Sequence, residues 1–436
     1  MRRWKLSHFT LCTAIAMASC SANSSTAPPL SRPAWQREAH SYQVLLRFGS
    51  EPRRRSRGRV PGGLLNMGGT FYGVTASGGG VNDGTVFSMS PAGEDKVLYR
   101  FRGGSDAEHP QAALIDVGGT LYGTSYSGGG GCFLYDFGCG TVFRTTTAGK
   151  EEVLHRFTYG CESRSCADGA NPNASLIDVK GTLYGTTFNG GRGNSTSYPC
   201  CGTVYSISPG GKYKVLYRFC GSSNCADGSS PVAGLIDVNG TLYGATVGGG
   251  KYDAGTVFSI GTSGKENVLY SFSGGSDGLL PYGALIDVNG TLYGTTLLGG
   301  AGKCHINAAH GCGIVYSVSL SGTEKVLYRF AGGSDGAFPA GGLTNVNGAL
   351  YGTTPRGGEG DCKKTGSSPS GCGTIYEVTT AGSESILHSF RSGTDGARPS
   401  ASLTNVNGTL YGTTTDGGLE SCRDDACGTV FALTPK

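Results

Sequence analysis

The residue types with the most chemistry in this 436-residue chain are its sixteen cysteines and a recurring aspartate. Apart from Cys12 and Cys20 near the N-terminus, the cysteines fall into seven local pairs: Cys132/Cys139, Cys161/Cys166, Cys200/Cys201, Cys220/Cys225, Cys304/Cys312, Cys362/Cys372 and Cys422/Cys427. An even number, local spacing and an export signal (below) together predict disulfide bonds. A disulfide bond between adjacent cysteines is strained, so whether Cys200 and Cys201 pair with each other remains an open question.

One cysteine pair has a metal-binding alternative. Between Cys304 and Cys312 lie His305 and His310, and two thiols with two imidazoles are a common zinc ligand set. The sister loops keep the cysteine pair and lack the histidines. The pattern therefore favours a disulfide-closed loop over zinc, and we predict no metal and no cofactor.

A second candidate site is an aspartate that stands four residues before a proline in six copies: Asp106, Asp168, Asp227, Asp277, Asp335 and Asp395. Six carboxylates around a channel mouth can bind cations or sugars. Calcium needs six to eight oxygen ligands, however, and aspartate before glycine commonly caps a turn. Turn capping is the favoured interpretation, with a ligand ring as the alternative. In a seventh copy Arg57 replaces the aspartate inside a basic segment, which is either a solvated loop or a contact for an anionic surface.

Catalytic motifs are missing from the sequence. It contains no HExxH, its GxSxG spacing occurs only within the repeated glycine-rich links at 274–278 and 332–336 rather than in a strand-to-helix elbow, and its seven histidines are scattered. We therefore predict no catalytic residues. Beyond residue 60 the chain has 24 basic and 29 acidic residues, and no nucleic-acid-binding motif, so a nucleic-acid partner is not expected.

These residues are carried by a tandem repeat. DVNGTLYGTT at 287–296 returns with small changes six more times, and its tyrosines fall at Tyr72, Tyr122, Tyr184, Tyr243, Tyr293, Tyr351 and Tyr411. Asn289-Gly290 is a strong hairpin signal, because both turn positions need positive φ. A glycine-rich loop and a GTVF strand follow in each copy, and a VLYRF strand follows in every copy but the last. Each unit is thus four antiparallel strands, and one tyrosine per unit is expected to pack within the blade rather than form a sugar platform.

The repeat predicts an all-β fold, a seven-bladed β-propeller of four-stranded antiparallel blades. The first element, Val44 to Phe48, is a fourth strand without its first three, and the last repeat lacks a fourth strand. Joined, they make one blade, so the N- and C-terminal strands are expected to close the ring. Closure also hides the sheet edges.

The ordered combination of GTLYGTT, a glycine pair, GTVF and VLYRF is similar to the GloVer tandem repeat of bacterial surface and secreted proteins. The resemblance covers roughly residues 44–436. It implies an extracytoplasmic location, and it implies no particular reaction.

The N-terminus predicts export. Residues 1–20 have a basic start, an apolar core and small residues, which is typical of a signal peptide. Cys20 lies in a segment resembling a lipobox, so secretion and lipid anchoring at Cys20 are both open. A flexible linker is expected over 21–43 and the propeller over 44–436.

In the predicted fold, the cysteine-closed loops and the links between blades lie on one face. We therefore expect an exported, monomeric, non-catalytic propeller that binds a polysaccharide or surface protein through that face. One alternative is a glycan-cleaving enzyme with its acids in non-repeated loops. Another is a purely structural cell-surface module.

Overall fold

The chain folds as seven four-stranded antiparallel sheets arranged as a β-propeller, which confirms the predicted fold class. The structure is a computed structural model that describes residues 40–49, 58–130, 138–158, 168–191, 201–300, 302–307, 309–362, 369–418 and 427–436. The predicted signal peptide, Cys20 and most of the linker lie outside the described residues.

Each blade contains four strands, numbered here from the inside outward. The first strands are Gly58–Met67, Ile115–Val117, Ile177–Val179, Ile236–Val238, Ile286–Val288, Thr344–Val346 and Thr404–Val406. The second strands are Thr70–Gly78, Thr120–Ser125, Thr182–Thr187, Thr241–Thr246, Thr291–Leu298, Ala349–Thr354 and Thr409–Thr414. The third strands are Thr85–Met89, Thr141–Thr146, Thr203–Ile207, Thr256–Gly261, Ile314–Ser319, Thr374–Thr379 and Thr429–Thr434. The fourth strands are Asp95–Arg100, Glu151–Arg156, Tyr213–Arg218, Glu266–Ser271, Glu324–Arg329, Glu384–Ser389 and, in blade 7, Ser41–Arg47.

The ring closes as the sequence predicts. Ser41–Arg47 pairs antiparallel with Thr429–Thr434, with Val44 opposite Phe431. The first strand of blade 7 also lies beside the first strand of blade 1, as do the first strands of all other neighbouring blades. The first strands therefore form the inner ring, and the fourth strands form the outer rim.

The repeated phrase is explained by packing within and between blades. Leu292 is fully buried, and a Cβ at Gly294 would lie 2.6 Å from the Tyr316 hydroxyl of the third strand, so glycine is needed there. The two threonines that follow make buried hydrogen bonds. Thr124 donates to the Ala174 carbonyl of the next blade at 2.9 Å. The second threonine of the phrase commonly bonds the threonine of GTVF, as between Thr246 and Thr256 at 2.8 Å. The phrase is chemically inert because it forms the core.

The turns between first and second strands have the predicted geometry. Asn289 and Gly290 have φ values of 55° and 78°, which a two-residue hairpin of this type requires. Asn239, Asn347 and Asn407 have the same left-handed conformation. Asparagine and glycine adopt this conformation at little cost, so the Asn-Gly turns carry little backbone strain.

Candidate functional site

Two kinds of connection meet on one face of the propeller, here called the loop face. The segment leading into each first strand pairs with the end of the second strand of the same blade, which carries the glycine-rich loop. The paired residues are Arg59 with Ser77, Ala107 with Gly128, Ala170 with Asn189, Ser229 with Gly248, Leu279 with Leu298, Ala337 with Arg356, and Ala397 with Asp416. The opposite face, here called the turn face, carries the Asn-Gly hairpins.

The residue that precedes the proline of each interblade link has an unusual backbone. These seven residues, here called the pre-proline ring, are Val60, His109, Asn171, Ser230, Leu280, Phe338 and Arg398. All have φ between 52° and 63°. This left-handed conformation costs a non-glycine residue about 1–2 kcal/mol, and it is rarest for β-branched residues such as Val60. No two ring positions carry the same residue type.

Each ring residue is held by the neighbouring blade. Its N–H donates to the carbonyl of the residue just before the GTVF glycine, as Phe338 does to Cys312 at 2.8 Å and Arg398 to Cys372 at 2.7 Å. A cysteine provides this carbonyl in five blades, whereas Asp83 and Ala254 provide it for His109 and Leu280. Six of the ring residues precede the innermost strand of their blade by a few residues and Val60 lies within it, so the ring lies on the loop face.

Two disulfide bonds include a cysteine whose backbone carbonyl accepts one of these hydrogen bonds. Cys304–Cys312 and Cys362–Cys372 are bonded, with Cα–Cα distances of 4.9 and 5.0 Å. Since Cys304 and Cys312 are oxidised together, they do not form a zinc site with His305 and His310. Disulfide bonding is typical of oxidising, extracytoplasmic compartments.

The third blade gathers three cysteine sulfurs. Cys220 lies within disulfide geometry of both Cys225 and Cys201, with Cα–Cα distances of 3.9 and 5.9 Å. One sulfur forms one disulfide at a time, so these are alternative pairings. All three side chains are buried. Cys139 and Cys427 are also disulfide-bonded. Cys132, Cys161, Cys166, Cys200 and Cys422 lie outside the described residues.

The six repeated aspartates lie beside fourth strands, on the outer rim of the loop face. Asp106 accepts hydrogen bonds from the Tyr99 hydroxyl at 2.9 Å and from the Arg102 and Ala107 backbone N–H groups at 3.0 and 2.7 Å. The acceptors in the other copies are Asp168, Asp227, Asp277, Asp335 and Asp395, each bonded by the Tyr or His of its own fourth strand. The geometry supports a capping role for these carboxylates.

One sector of the ring is acidic. Glu108 is 7% exposed, and its carboxylate lies 3.5 Å from the imidazole of His109. Burial, and then the charge of Asp83, raise the pKa of Glu108 to about 7. Burial lowers the pKa of His109. Near neutral pH Glu108 therefore holds a proton part of the time and can act as a proton donor.

Two further sectors differ in chemistry. Phe338 packs with Leu297 and Leu298 in a buried cluster that Leu280 borders. Next to it Arg398 donates to Asp416 at 2.6 Å, beside the buried Arg356. Burial, and then the charge of Arg398, lower the pKa of Arg356 to about 10. The ring and its neighbours thus differ in chemistry from blade to blade, with Asn171, Phe338 and Arg398 buried and the other ring residues more exposed.

The described residues include three large exposed hydrophobic side chains, two of them on the loop face. Val81 is 64% exposed and Tyr252 is 54% exposed, and both occur in the glycine-rich loops of the blades that lack cysteines there. Lys251 lies 5.1 Å from the Tyr252 ring centroid. Six of the repeated tyrosines, by contrast, are buried in the blades, with exposed fractions between 4% at Tyr122 and 8% at Tyr72, and Tyr411 packs against Phe71.

Sequence reasoning missed the pre-proline ring. Its signal was available, since the residue before proline in the Ser-Asp-Gly link varies while the residues around it repeat. The φ values that distinguish the position needed the structure. The basic segment from 53 to 57, with Arg57, lies outside the described residues.

The chain has a low similarity to several solved structures. A gluconolactonase from Xanthomonas campestris is 12% identical, with a TM-score of 0.41 over 97% of this chain and 98% of that one. A putative oxidoreductase (glucose dehydrogenase) from Thermus thermophilus is also 12% identical, with a TM-score of 0.44 over 90% and 99% of the two chains. A luciferin-regenerating enzyme is likewise 12% identical, with a TM-score of 0.41 over 91% and 95%. These similarities carry no activity to this chain.

No curated protein matches the sequence. Within the described residues, no helix is long and apolar enough to cross a membrane. The family model of the Gloeobacter/Verrucomicrobia repeat matches residues 60–307 and 304–436, which together span most of the chain and confirm the resemblance drawn from the repeated phrase. The chain is therefore a member of the Gloeobacter/Verrucomicrobia repeat family.

Proposed function

We propose that this propeller is an exported, non-catalytic, monomeric binding module that recognises a polysaccharide or surface protein through its loop face. The observation that carries the proposal is the pre-proline ring. Strained backbone that is held by the surrounding structure tends to occur at functional sites. Here the strain recurs in seven blades while the side chain changes each time.

Disulfide closure supports the same proposal. The bonded cysteines supply the carbonyls that fix several ring residues, so the contact groups are ordered before a ligand arrives. Ordering a free backbone residue costs about 1–2 kcal/mol, and a preformed surface avoids much of that cost on binding. Exposed Tyr252 adds an aromatic face of the kind that stacks on sugars. Attachment by a lipid at Cys20 and release as a secreted protein are both compatible with this role.

The acidic sector favours one second function, that of a glycan-cleaving enzyme. Glycosidases pair two carboxyl groups, one of which keeps a raised pKa and acts as the acid. Burial raises the pKa of Glu108 to about 7, which fits that property, and Asp83 is the charged carboxylate that adds to the shift. Both stand at positions where the other repeats carry different residues.

A glycan array probed with the full chain separates these functions. Retention of one glycan class supports binding, whereas product release that is lost in Glu108→Gln and Asp83→Asn supports the enzyme. A matched Asp95→Asn variant, on an outer strand, should leave either activity unchanged. If no glycan is retained and no partner is captured from intact surface extracts, the binding proposal fails and a structural module remains.

A further inference from the structure

The fourth strands of neighbouring blades meet through one repeated pair of positions. The first residue of one fourth strand lies against the fifth residue of the preceding one. In four interfaces the first position is glutamate and the fifth is tyrosine: Glu151 with Tyr99, Glu266 with Tyr217, Glu324 with Tyr270, and Glu384 with Tyr328. Each tyrosine in turn donates to an aspartate of its own link.

If both carboxyl groups are ionised, each glutamate–tyrosine–aspartate group has one hydrogen-bond donor too few. A tyrosine hydroxyl has a single proton, and here it is donated to the aspartate, for example from Tyr270 to Asp277 at 2.9 Å. The hydroxyl cannot also donate to the glutamate. In all four interfaces the glutamate Oε1 atom is buried and has no hydrogen-bond partner. An ionised glutamate would therefore leave a buried anionic oxygen unsatisfied, facing the negative aspartate.

We propose that the glutamic acid of each of these four interfaces remains largely protonated up to neutral pH and donates a hydrogen bond to the tyrosine oxygen. The tyrosine hydroxyl then donates its own hydrogen bond to the aspartate, which stays ionised. The propeller thereby contains four proton-binding sites on its outer rim, which empty as the pH rises.

Surrounding charges act in the same direction. The groups across the interface from Glu151 are Asp106 and Tyr99, and those on its own strand are Glu152 and Arg156. Burial, and then the aspartate across the interface, raise the pKa of all four glutamates from 4.5 to about 7. Arg156 acts against this shift at Glu151, as Arg329 does at Glu324, but without reversing it. Glu266 and Glu384 face Asp227 with Tyr217 and Asp335 with Tyr328, respectively.

In the remaining interfaces the fifth position is not tyrosine, and there the first position is not glutamate. Where the fifth position is histidine, the next blade supplies a tyrosine instead. Tyr213 stacks on His155 at 3.8 Å, and Tyr42 stacks on His388 at 3.7 Å. Both histidines bond their aspartates, at 3.1 and 3.3 Å. In blade 7 the fourth strand begins one residue earlier, so Tyr42 and Leu46 are the equivalents of the first and fifth residues, and the two positions at the closing interface are Asp95 and Leu46.

The sign of the pH effect follows from the direction of the shift. A carboxyl group whose pKa is raised in the folded state stabilises the fold fully below its unfolded value, near 4.5. That contribution is lost as the pH rises to about 7. The full chain should therefore have a lower thermal midpoint at pH 8 than at pH 5.

The test compares Glu324→Gln with the exposed control Glu94→Gln. A glutamine amide donates to the Tyr270 oxygen without titrating, so Glu324→Gln should match wild type at pH 5 and melt at a higher temperature at pH 8. Its pH 5-to-8 shift in midpoint should shrink by about one quarter, because four equivalent sites contribute. Glu94→Gln should behave as wild type.

Infrared spectroscopy provides a readout that stability alone does not. At pH 6 the full chain should show the carbonyl band of protonated carboxylic acids, and a variant with all four glutamates changed to glutamine should lose most of it. If that variant does not fold, the difference spectrum of Glu324→Gln at pH 6 replaces it. An absent acid band, or a pH shift in Glu324→Gln equal to that of the control, overturns the proposal.

Discussion

The loop face and the turn face meet the same backbone demand with different residues. On the turn face the first left-handed position is asparagine in four blades, glycine in two and Lys180 in one, and glycine follows it in every blade. On the loop face equally positive φ values fall on residues as unsuited as Val60 and Phe338. A repeat that can place asparagine at one such position can place it at another. The difference indicates that the loop-face side chains are kept for what they contact and the turn-face residues for their conformation.

The core beneath both faces should give the largest effect. Gly294→Ala places a Cβ 2.6 Å from the Tyr316 hydroxyl, and this overpacking should lower the free energy of unfolding by about 3 kcal/mol. Gly290→Ala in the adjacent turn has open space around it and only positive φ to oppose it, so it should lose about 1 kcal/mol. Urea denaturation measures both. Equal losses would show that the repeated phrase is not fixed by packing.

Disulfide removal should come next and should act on one ring position. Cys304→Ser with Cys312→Ser should lower the free energy of unfolding by about 2–3 kcal/mol, because the closed loop is short. The Phe338 amide, bonded to the Cys312 carbonyl, should exchange its hydrogen faster. The Leu280 amide, bonded to Ala254, is the matched control and should not change. Equal acceleration of hydrogen exchange at both amides would contradict a specific effect of this disulfide on the ring position at Phe338.

Relief of strain should give a smaller effect of opposite sign. Ser230→Gly removes a side chain from a left-handed position and should raise the free energy of unfolding by about 1 kcal/mol. Asn289→Gly makes the same change on the turn face, where asparagine already tolerates this conformation, and should gain only about 0.3 kcal/mol. Thermal unfolding of the two variants decides whether strain is concentrated on the loop face. A larger gain at Asn289 would reverse the comparison.

The smallest effect should come from exchanging one favourable turn for another. Asn289→Asp keeps an Asx-Gly hairpin, so the unfolding free energy should change by less than about 0.5 kcal/mol. Ligand retention on the array should also be unchanged. A loss of retention in this variant would assign a contact to the turn face.

The fold was predictable because the turn residues, the alternation of apolar residues and the order of the repeated strands all indicate the same architecture. Asn289-Gly290 predicts the hairpin, the alternation around Leu292 predicts the strand, and Val44 to Phe48 without a preceding hairpin predicts closure with the C-terminal strands. The structure contains all three.

The ring was not predictable in the same way, because a left-handed backbone at Phe338 arises from hydrogen bonds to a distant segment, such as the Cys312 carbonyl. Neither periodicity nor composition encodes that contact. The aspartates stand out in the sequence because they repeat, whereas the positions with varied chemistry are those where the residue type changes from one repeat to the next. The Cys201–Cys220 pairing was equally hidden, since local spacing does not reveal a neighbouring strand, whereas local spacing did predict the alternative Cys220–Cys225 pair.

The most direct test measures affinity for the glycan retained on the array in two matched triple variants of the full chain. One changes His109, Ser230 and Leu280 of the pre-proline ring to glycine, and the other changes Asn239, Asn289 and Asn347 of the turn face to glycine. All six positions have positive φ, so both variants keep the backbone. We expect the ring variant to lose at least about tenfold in affinity, equivalent to about 1.4 kcal/mol, and the turn variant to bind as wild type. Unchanged affinity in the ring variant, or a loss confined to the turn variant, would contradict a binding site on the loop face.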